Sequence, residues 1–357
     1  MIQVTTNHEG ANPQDDRFVE QTGPLSFTVT PQSEDGDSNY KFAFDVVIEN
    51  SGKEPVEVAL TIDWDEPPDV GTMYMGARRS LFLGSGNAWS EVAGRLHEDM
   101  AHFSLPVPPG KHHACLSPPY TSEDLRAFFE RAEHLSGTQH IVFGHTAEGR
   151  PLEALVLDAL NGQESVLLVL GRGHPYETAG SYCVDGVLEL LRGKEGAAMR
   201  AHRRVILAPV MNPDGAAHGL CKRTTLGCDI THEGRGYDDP TARAVVELVE
   251  ETIQAGHGAL WDVHGWMIAQ DGMNFATGGR GQAIIDEAGE GLFPRGWKDT
   301  EPPSYEFDLY TSNFRRYAAA LGMDVLVTSH PFWGRTPATM RQVGAAVCRA
   351  FVGVLGG

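Results

Sequence analysis

Two rhythms of hydrophobic and polar positions run along this chain, and they change over near residue 119. From Leu25 to about Pro109, "SFTVT", "YKFAFDVVIEN", "VEVALTIDW" and "AHFSLPV" alternate apolar and polar side chains. That period of two places one face of a strand against a core and the other toward water. The stretches between them, "SEDGDS", "NSGKEP", "DEPPDV" and "PPGK", are turn chemistry. Several short strands punctuated in this way predict an antiparallel β-sandwich over residues 1–118. Residues 1–25 are polar and poor in aromatics, and read as a loose lead-in.

At "SPPYTSEDLRAFFERAEH", residues 117–134, the period lengthens. Thr121 or Ser122 is placed to cap a helix, with Glu123 and Asp124 in its first turn and Leu125, Phe128 and Phe129 at helical spacing. Beyond it, "HIVFGHTAEGRPLEALVLDAL" predicts a hairpin turning at Gly149-Arg150, and "SVLLVL" a strand buried on both faces. "TAGSYCVDGVLELLRG" predicts a helix, "RRVILAPV" a strand, "TARAVVELVEETIQAG" a helix ended by Gly256, and "GALWDV" a strand. "FDLYTSNFRRYAAALG", "MDVLVT" and "ATMRQVGAAVCRAFVGVL" complete the series as helix, strand and helix. This alternation predicts an α/β domain over residues 119–357 with a mixed, largely parallel sheet.

Composition narrows the classes. The formal net charge of −20 argues against nucleic acid and anionic membrane surfaces as partners. No apolar run approaches the roughly 20 residues that span a bilayer. The first residues show neither a basic nor an apolar leader region, so a cytoplasmic protein is expected. The five cysteines, odd in number and widely spaced, read as free, mostly buried thiols.

In open α/β sheets, functional residues collect at the carboxyl ends of the strands. After "SVLLVL" come His174 and Glu177. After "RRVILAPV" come Asn212, Pro213, Asp214 and Gly215. "GALWDV" is followed by His264, and "MDVLVT" by His330. Two imidazoles and a carboxylate supply three ligands to zinc and leave a position for water, which the metal activates at neutral pH. The H-x-x-E spacing is weak evidence alone, since His145 and Glu148 repeat it in the predicted hairpin turn. The His174 copy follows a buried strand and opens a helix; the other reads as a solvated turn.

"GHPYE", "PVMNPDG", "LGCDITH" and "DVHGW" occur in this order on the right elements. Together they resemble the zinc carboxypeptidases of the carboxypeptidase A type, and most closely the cytosolic carboxypeptidase branch, in which a β-sandwich precedes the catalytic domain. The resemblance implies one zinc ion held by His174, Glu177 and His264. Asp262 would support the strand end, and Asn212 and Asp214 would shape the cleft wall.

Three departures bear on activity. The family's D-x-N-R reads Asp229-Ile230-Thr231-His232, so the Asn-Arg pair that grips a C-terminal carboxylate is replaced by side chains without arginine's two-pronged charge. The family's transition-state arginine falls at Lys222, with Arg223 adjacent. Either stabilises an oxyanion, or the two are a basic pair in a loop. The general-base glutamate falls at His330, and no glutamate follows Glu306. His330 as base, His330 as a fourth ligand, His330 as a loop residue packed by Phe332 and Trp333, and Glu306 or Asp308 as substitutes all stay open.

The expected function is a zinc-dependent hydrolase cleaving a peptide or amide bond. The alternatives are an impaired or inactive zinc-binding member serving as a binding module, or a deacylase or amidase of a small modified substrate. No G-x-S-x-G elbow supports a serine hydrolase. The sequence names no partner for the sandwich.

Overall fold

The computed structural model describes the chain except residues 35–39, 66–78, 233–237, 255–256, 266–270, 290, 294–295, 300–313 and 356–357. Ten strands lie before residue 116: β1 (Ile2–Thr5), β2 (Val19–Gly23), β3 (Ser26–Val29), β4 (Asp45–Asn50), β5 (Val56–Asp63), β6 (Ser80–Ser85), β7 (Ala88–Ala93), β8 (Arg95–His97), β9 (Met100–Val107) and β10 (Gly110–Cys115). They form two five-stranded sheets, ordered β1-β4-β10-β6-β7 and β2-β3-β5-β9-β8. The first is antiparallel throughout. In the second, β3 and β5 run parallel, which the sequence reading did not expect. Alternation puts Val46, Ile48, Leu81 and Ala114 of one sheet into the same core as Phe27, Leu60, Phe103 and Leu105 of the other.

The first 25 residues are not a loose lead-in. β1 pairs with β4, and β2 pairs with β3. Ile2 and Val4 alternate over too few residues to register as a pattern. What holds the segment is tertiary: the Asp16 carboxylate accepts from Thr6 N at 2.7 Å and Thr6 Oγ1 at 2.8 Å.

The second part of the chain builds one eight-stranded sheet from β11 (Thr138–His145), β12 (Pro151–Leu157), β13 (Ser165–Gly171), β14 (Arg203–Ala208), β15 (His257–His264), β16 (Asp271–Ala276), β17 (Trp297–Asp299) and β18 (Asp324–Ser329). Its order is β11-β12-β14-β13-β15-β18-β16-β17. The four middle strands β14, β13, β15 and β18 are mutually parallel, so their carboxyl ends line one edge. Antiparallel pairs flank that run at β11–β12, β12–β14 and β16–β18.

Eight α-helices accompany the sheet among the described residues: α1 (Ser122–Ala132), α2 (Thr178–Arg192), α3 (Lys194–Met199), α4 (Pro213–Ala217), α5 (Pro240–Gln254), α6 (Gly281–Ala288), α7 (Phe314–Ala320) and α8 (Pro337–Leu355). Thr121 caps α1 in a reciprocal box with Asp124, as its sequence predicts. The end expected at Gly256 and the first residues of the helix expected from Phe307 lie outside the described residues. One face of the sheet packs Leu167, Val169 and Trp261 with α2 and α8, and the other packs Leu168, Leu260 and Val325 with α5 and α7. Helices α2 and α8 meet closely because Gly186 has no side chain: a Cβ there would lie 1.8 Å from the Arg341 carbonyl oxygen.

All five cysteines are free and buried. Cys115, Cys183 and Cys348 belong to the core on the α2 side, Cys228 to the core on the α5 side, and Cys221 to the core between the two N-terminal sheets. No helix among the described residues is long and apolar enough to cross a membrane.

Candidate metal centre

Strand β13 ends at Gly171, and the chain leaves it through Arg172, whose φ of 57° lies in the left-handed region. That turn is secured by the buried guanidinium, which donates to the carbonyls of Tyr120 and Pro175. It delivers His174 and Glu177 to the mouth of α2. There the partial positive charge of the helix N-terminus favours a carboxylate. Gly180 lets the first turn of α2 approach the end of β15, since a Cβ at that position would lie 2.5 Å from the Val263 carbonyl oxygen. His264 ends β15 and completes the group.

Glu177 is fully buried and divides its carboxylate between two imidazoles. Oε1 lies 3.0 Å from His174 Nδ1, and Oε2 lies 2.6 Å from His264 Nδ1. One ligand atom from each of the three residues lies within 4.8 Å of the others. The far nitrogens are also backed by carboxylates. His264 Nε2 lies 3.0 Å from Asp262 Oδ2, and His174 Nε2 lies 3.4 Å from Asp229 Oδ1 and 2.9 Å from Thr231 Oγ1. Carboxylates in this outer position fix the ring orientation and tautomer of a metal-binding histidine.

The charges respond to one another. Burial pushes the Glu177 carboxyl up, but His264 and His174 outweigh it and hold the group well below the usual carboxylate range. Burial pulls the His264 imidazole down, and Asp262 with Glu177 overrides this, raising it to about 10. Asp229 is likewise kept low against its burial by His174 and His232. The site is a buried lattice of carboxylates and imidazoles. Such a donor set, two nitrogens and one oxygen facing inward, fits zinc.

The D-x-T-H segment surrounds this group. Asp229 Oδ2 accepts from His232 Nδ1 at 2.9 Å and pairs with Lys222 Nζ at 3.0 Å. Lys222 also donates to the Tyr40 hydroxyl at 3.3 Å. His232 is exposed at the rim. Arg223 contributes its backbone: its carbonyl accepts from Asn212 Nδ2 at 3.1 Å.

Three residues that the sequence singled out, Asn212, Asp214 and His330, have surroundings of their own. Asn212 caps α4, its Oδ1 accepting from Gly215 N at 3.0 Å, so the Asn-Pro-Asp-Gly segment is a short helix start. Asp214 is buried and turned to the β11–β12 hairpin, where it accepts from Thr146 Oγ1 at 2.8 Å, Glu148 N at 3.1 Å and Arg150 Nη1 at 2.7 Å. The hairpin with the second H-x-x-E is therefore the clamp for Asp214. His330 is fully buried and takes Asp271 Oδ1 at 2.7 Å, with Trp297 and Phe293 against its ring. Its direction follows from register: Ser329 is paired with His264, so the next residue faces the other side of the sheet. Glu306 and Asp308 lie outside the described residues.

Sequence reasoning missed two contributors. Arg315 on α7 forms an ion pair with Asp262 Oδ2 at 2.8 Å and reaches 3.5 Å from His264 Nε2. Its signal was a basic pair, Arg315-Arg316, on an otherwise apolar helix. Glu34, from the connection between β3 and β4, accepts from Cys221 N at 2.9 Å, from Lys222 N at 3.0 Å and from Arg223 N at 3.3 Å, and so fixes the loop that presents Lys222. No local pattern marks a residue that acts 188 positions away.

Residues 125–227 match the zinc carboxypeptidase family profile. An uncharacterized protein of Zymomonas mobilis is 27% identical over 183 residues, covering 50% of this chain and 46% of that protein. Cytosolic carboxypeptidase 6 of Mus musculus is 26% identical over 116 residues, covering 30% of this chain and 22% of that enzyme. The aligned stretches thus span less than half the length of these curated relatives. A metallo-carboxypeptidase from Burkholderia cenocepacia superposes with a TM-score of 0.80 at 18% identity, over 100% of this chain and 99% of that one, which shows a common fold. Residues 125–227 are thus similar to the zinc carboxypeptidase family, cytosolic carboxypeptidases are among the similar proteins, and the fold around the metal-ligand cluster is carboxypeptidase-like.

Proposed function

We propose that this chain is a zinc-dependent hydrolase that cleaves a peptide or small amide bond. It consists of a β-sandwich unit, residues 1–118, followed by a carboxypeptidase-like unit, residues 119–357. The observation that carries this reading is the pairing of His174 and His264 on Glu177, each ring backed by its own carboxylate. His174, Glu177 and His264 would hold one zinc ion, and Asp229 and Asp262 orient the two rings. When bound, zinc supplies a Lewis acid and an activated water. Lys222, held by Asp229 and Tyr40, is the candidate cation for a developing oxyanion. Thr231 and His232 give no planar fork for a terminal carboxylate, so a modified peptide or acyl amide suits this rim better than a free C-terminus. Five free cysteines fit a reducing, cytoplasmic compartment.

A second reading is a zinc-binding member without hydrolysis, acting as a binding module. It is favoured by the engagement of His330 with Asp271, which leaves the family's base position turned away from the cluster. Metal analysis followed by a panel of peptides and acyl amides, with and without a terminal carboxylate, separates the two. Hydrolysis that disappears with His264→Ala supports the first. An intact panel at full zinc occupancy supports the second. Protein that takes up no metal at this cluster overturns both.

A further inference from the structure

A second group of metal-type ligands lies in the N-terminal sheets and shares no residue with the first: His8, Asp45 and His113. Asp45 opens β4 and is 5% exposed. In the β4–β10 ladder Asp45 stands opposite Cys115 and His113 opposite Val47. Asp45 and His113 are therefore diagonal neighbours on one face. His8 arrives from the turn after β1. Both strands of the bridge Asn12–Asp45 are hydrogen-bonded at 3.2 Å, which holds that turn against the start of β4.

The three side chains converge. His113 Nδ1 lies 2.9 Å and 3.0 Å from the two Asp45 oxygens, and His8 Nε2 lies 3.2 Å from Oδ2. The two rings meet edge to face at 5.2 Å between centroids. His8 Nδ1 is buried and has no hydrogen-bond partner among the described residues. Asp45 Oδ2 faces His8 Nε2 at 3.2 Å, so a cation held between them would take the place of the Nε2 proton. Asp45 also lines a cavity of about 40 Å³ shared with Glu9. That volume is large enough for a water. The imidazoles are 17% and 23% exposed at the side chain, so the group is reachable from solvent.

We propose that His8, Asp45 and His113 form a second divalent transition-metal site, which pins the first strand and its following turn to β4 and β10. Two imidazole nitrogens and one carboxylate oxygen select zinc, cobalt or nickel over magnesium and calcium. The site is independent of the one between β13 and β15, and of any hydrolytic activity there.

Cobalt titration of metal-free full-length protein tests this. The d–d absorption band counts sites, and mass spectrometry of metal content confirms the number. His8→Ala/His113→Ala protein should bind one cobalt fewer than the parent and lose one metal-dependent increment in Tm. A His174→Ala/His264→Ala protein should still bind one cobalt, which disappears when all four substitutions are combined. Equal stoichiometry in the parent and the His8→Ala/His113→Ala protein overturns the proposal. So does a folded His174→Ala/His264→Ala protein that binds none. Should that second variant fail to fold, the first comparison decides alone, because its two histidines are partly exposed and their loss leaves the sheet core intact.

Discussion

Replacing Glu34 by alanine tests how firmly the connection between β3 and β4 holds the Lys222 loop. The Glu34 carboxylate is 6% exposed and accepts from three consecutive amides, those of Cys221, Lys222 and Arg223. A hydrogen bond to a charged group contributes roughly 1.5–3 kcal/mol, and an orphaned buried donor costs about 1–3 kcal/mol. Cys221 is buried, whereas Lys222 and Arg223 are half-buried, so water can replace the acceptor for two of the three amides. One full loss and two partial ones sum to roughly 3 kcal/mol for Glu34→Ala. Glu34→Gln keeps one acceptor oxygen and should lose about half of that. Urea unfolding followed by tryptophan fluorescence measures both, with stability compared only where the slope is unchanged. Metal content should not change, because Glu34 touches none of the cluster residues. A loss below about 0.5 kcal/mol for Glu34→Ala would show that the amides find other acceptors and that the clamp is incidental.

Three further outcomes follow from the geometry. Asp262→Asn removes the charge behind His264 and should weaken zinc binding by about 10–100-fold in a chelator competition, whereas an affinity within threefold of the parent rejects the outer-carboxylate role. Gly186→Ala normally favours a helix, yet here its Cβ meets the Arg341 carbonyl at 1.8 Å, so thermal unfolding should show a loss of about 1–3 kcal/mol; a gain would mean that α2 and α8 separate freely. Asp271 is held low, against its burial, by His330 and Arg335. A depressed carboxyl stabilises fully above its unfolded value, about 3.9, and loses that contribution as pH falls through the folded value, so Asp271→Asn should flatten the stability loss below about pH 4, and an unchanged slope would count against the ion pair.

The legible parts of the sequence were those decided by local periodicity or by parallel-strand logic. "SVLLVL" reads as a strand covered on both faces, and β13 is that strand. The carboxyl ends of β13 and β15 lie side by side in the parallel run of the sheet, which brings His174, Glu177 and His264 together. The less legible parts depended on register and on distant partners. Whether His330 joins His264 or faces away turns on one residue of phase after Ser329, and the run "VTSHPF" does not encode that phase. Asp214 looked like a cleft residue because nothing local shows the hairpin that captures it 64 to 68 positions earlier. The first strand was invisible because four residues cannot display a period, and its partner lies more than forty residues on.

The distribution of the five thiols has a practical consequence. Each hydrophobic cluster contains at least one cysteine, and all five are buried and outside any disulfide. Cys221 Sγ additionally accepts from the amides of Phe42 and Ala43, at 2.9 Å and 3.2 Å, across the seam between the N-terminal sheets and the loop before Thr224. A thiol-reactive probe can modify a given cysteine only when its own surroundings open. Residue-resolved labelling rates therefore give the protein a native set of reporters. Early modification of Cys221 would signal parting of the seam, of Cys228 loosening under α5, and of Cys183 with Cys348 separation of α2 from α8, without a single engineered label.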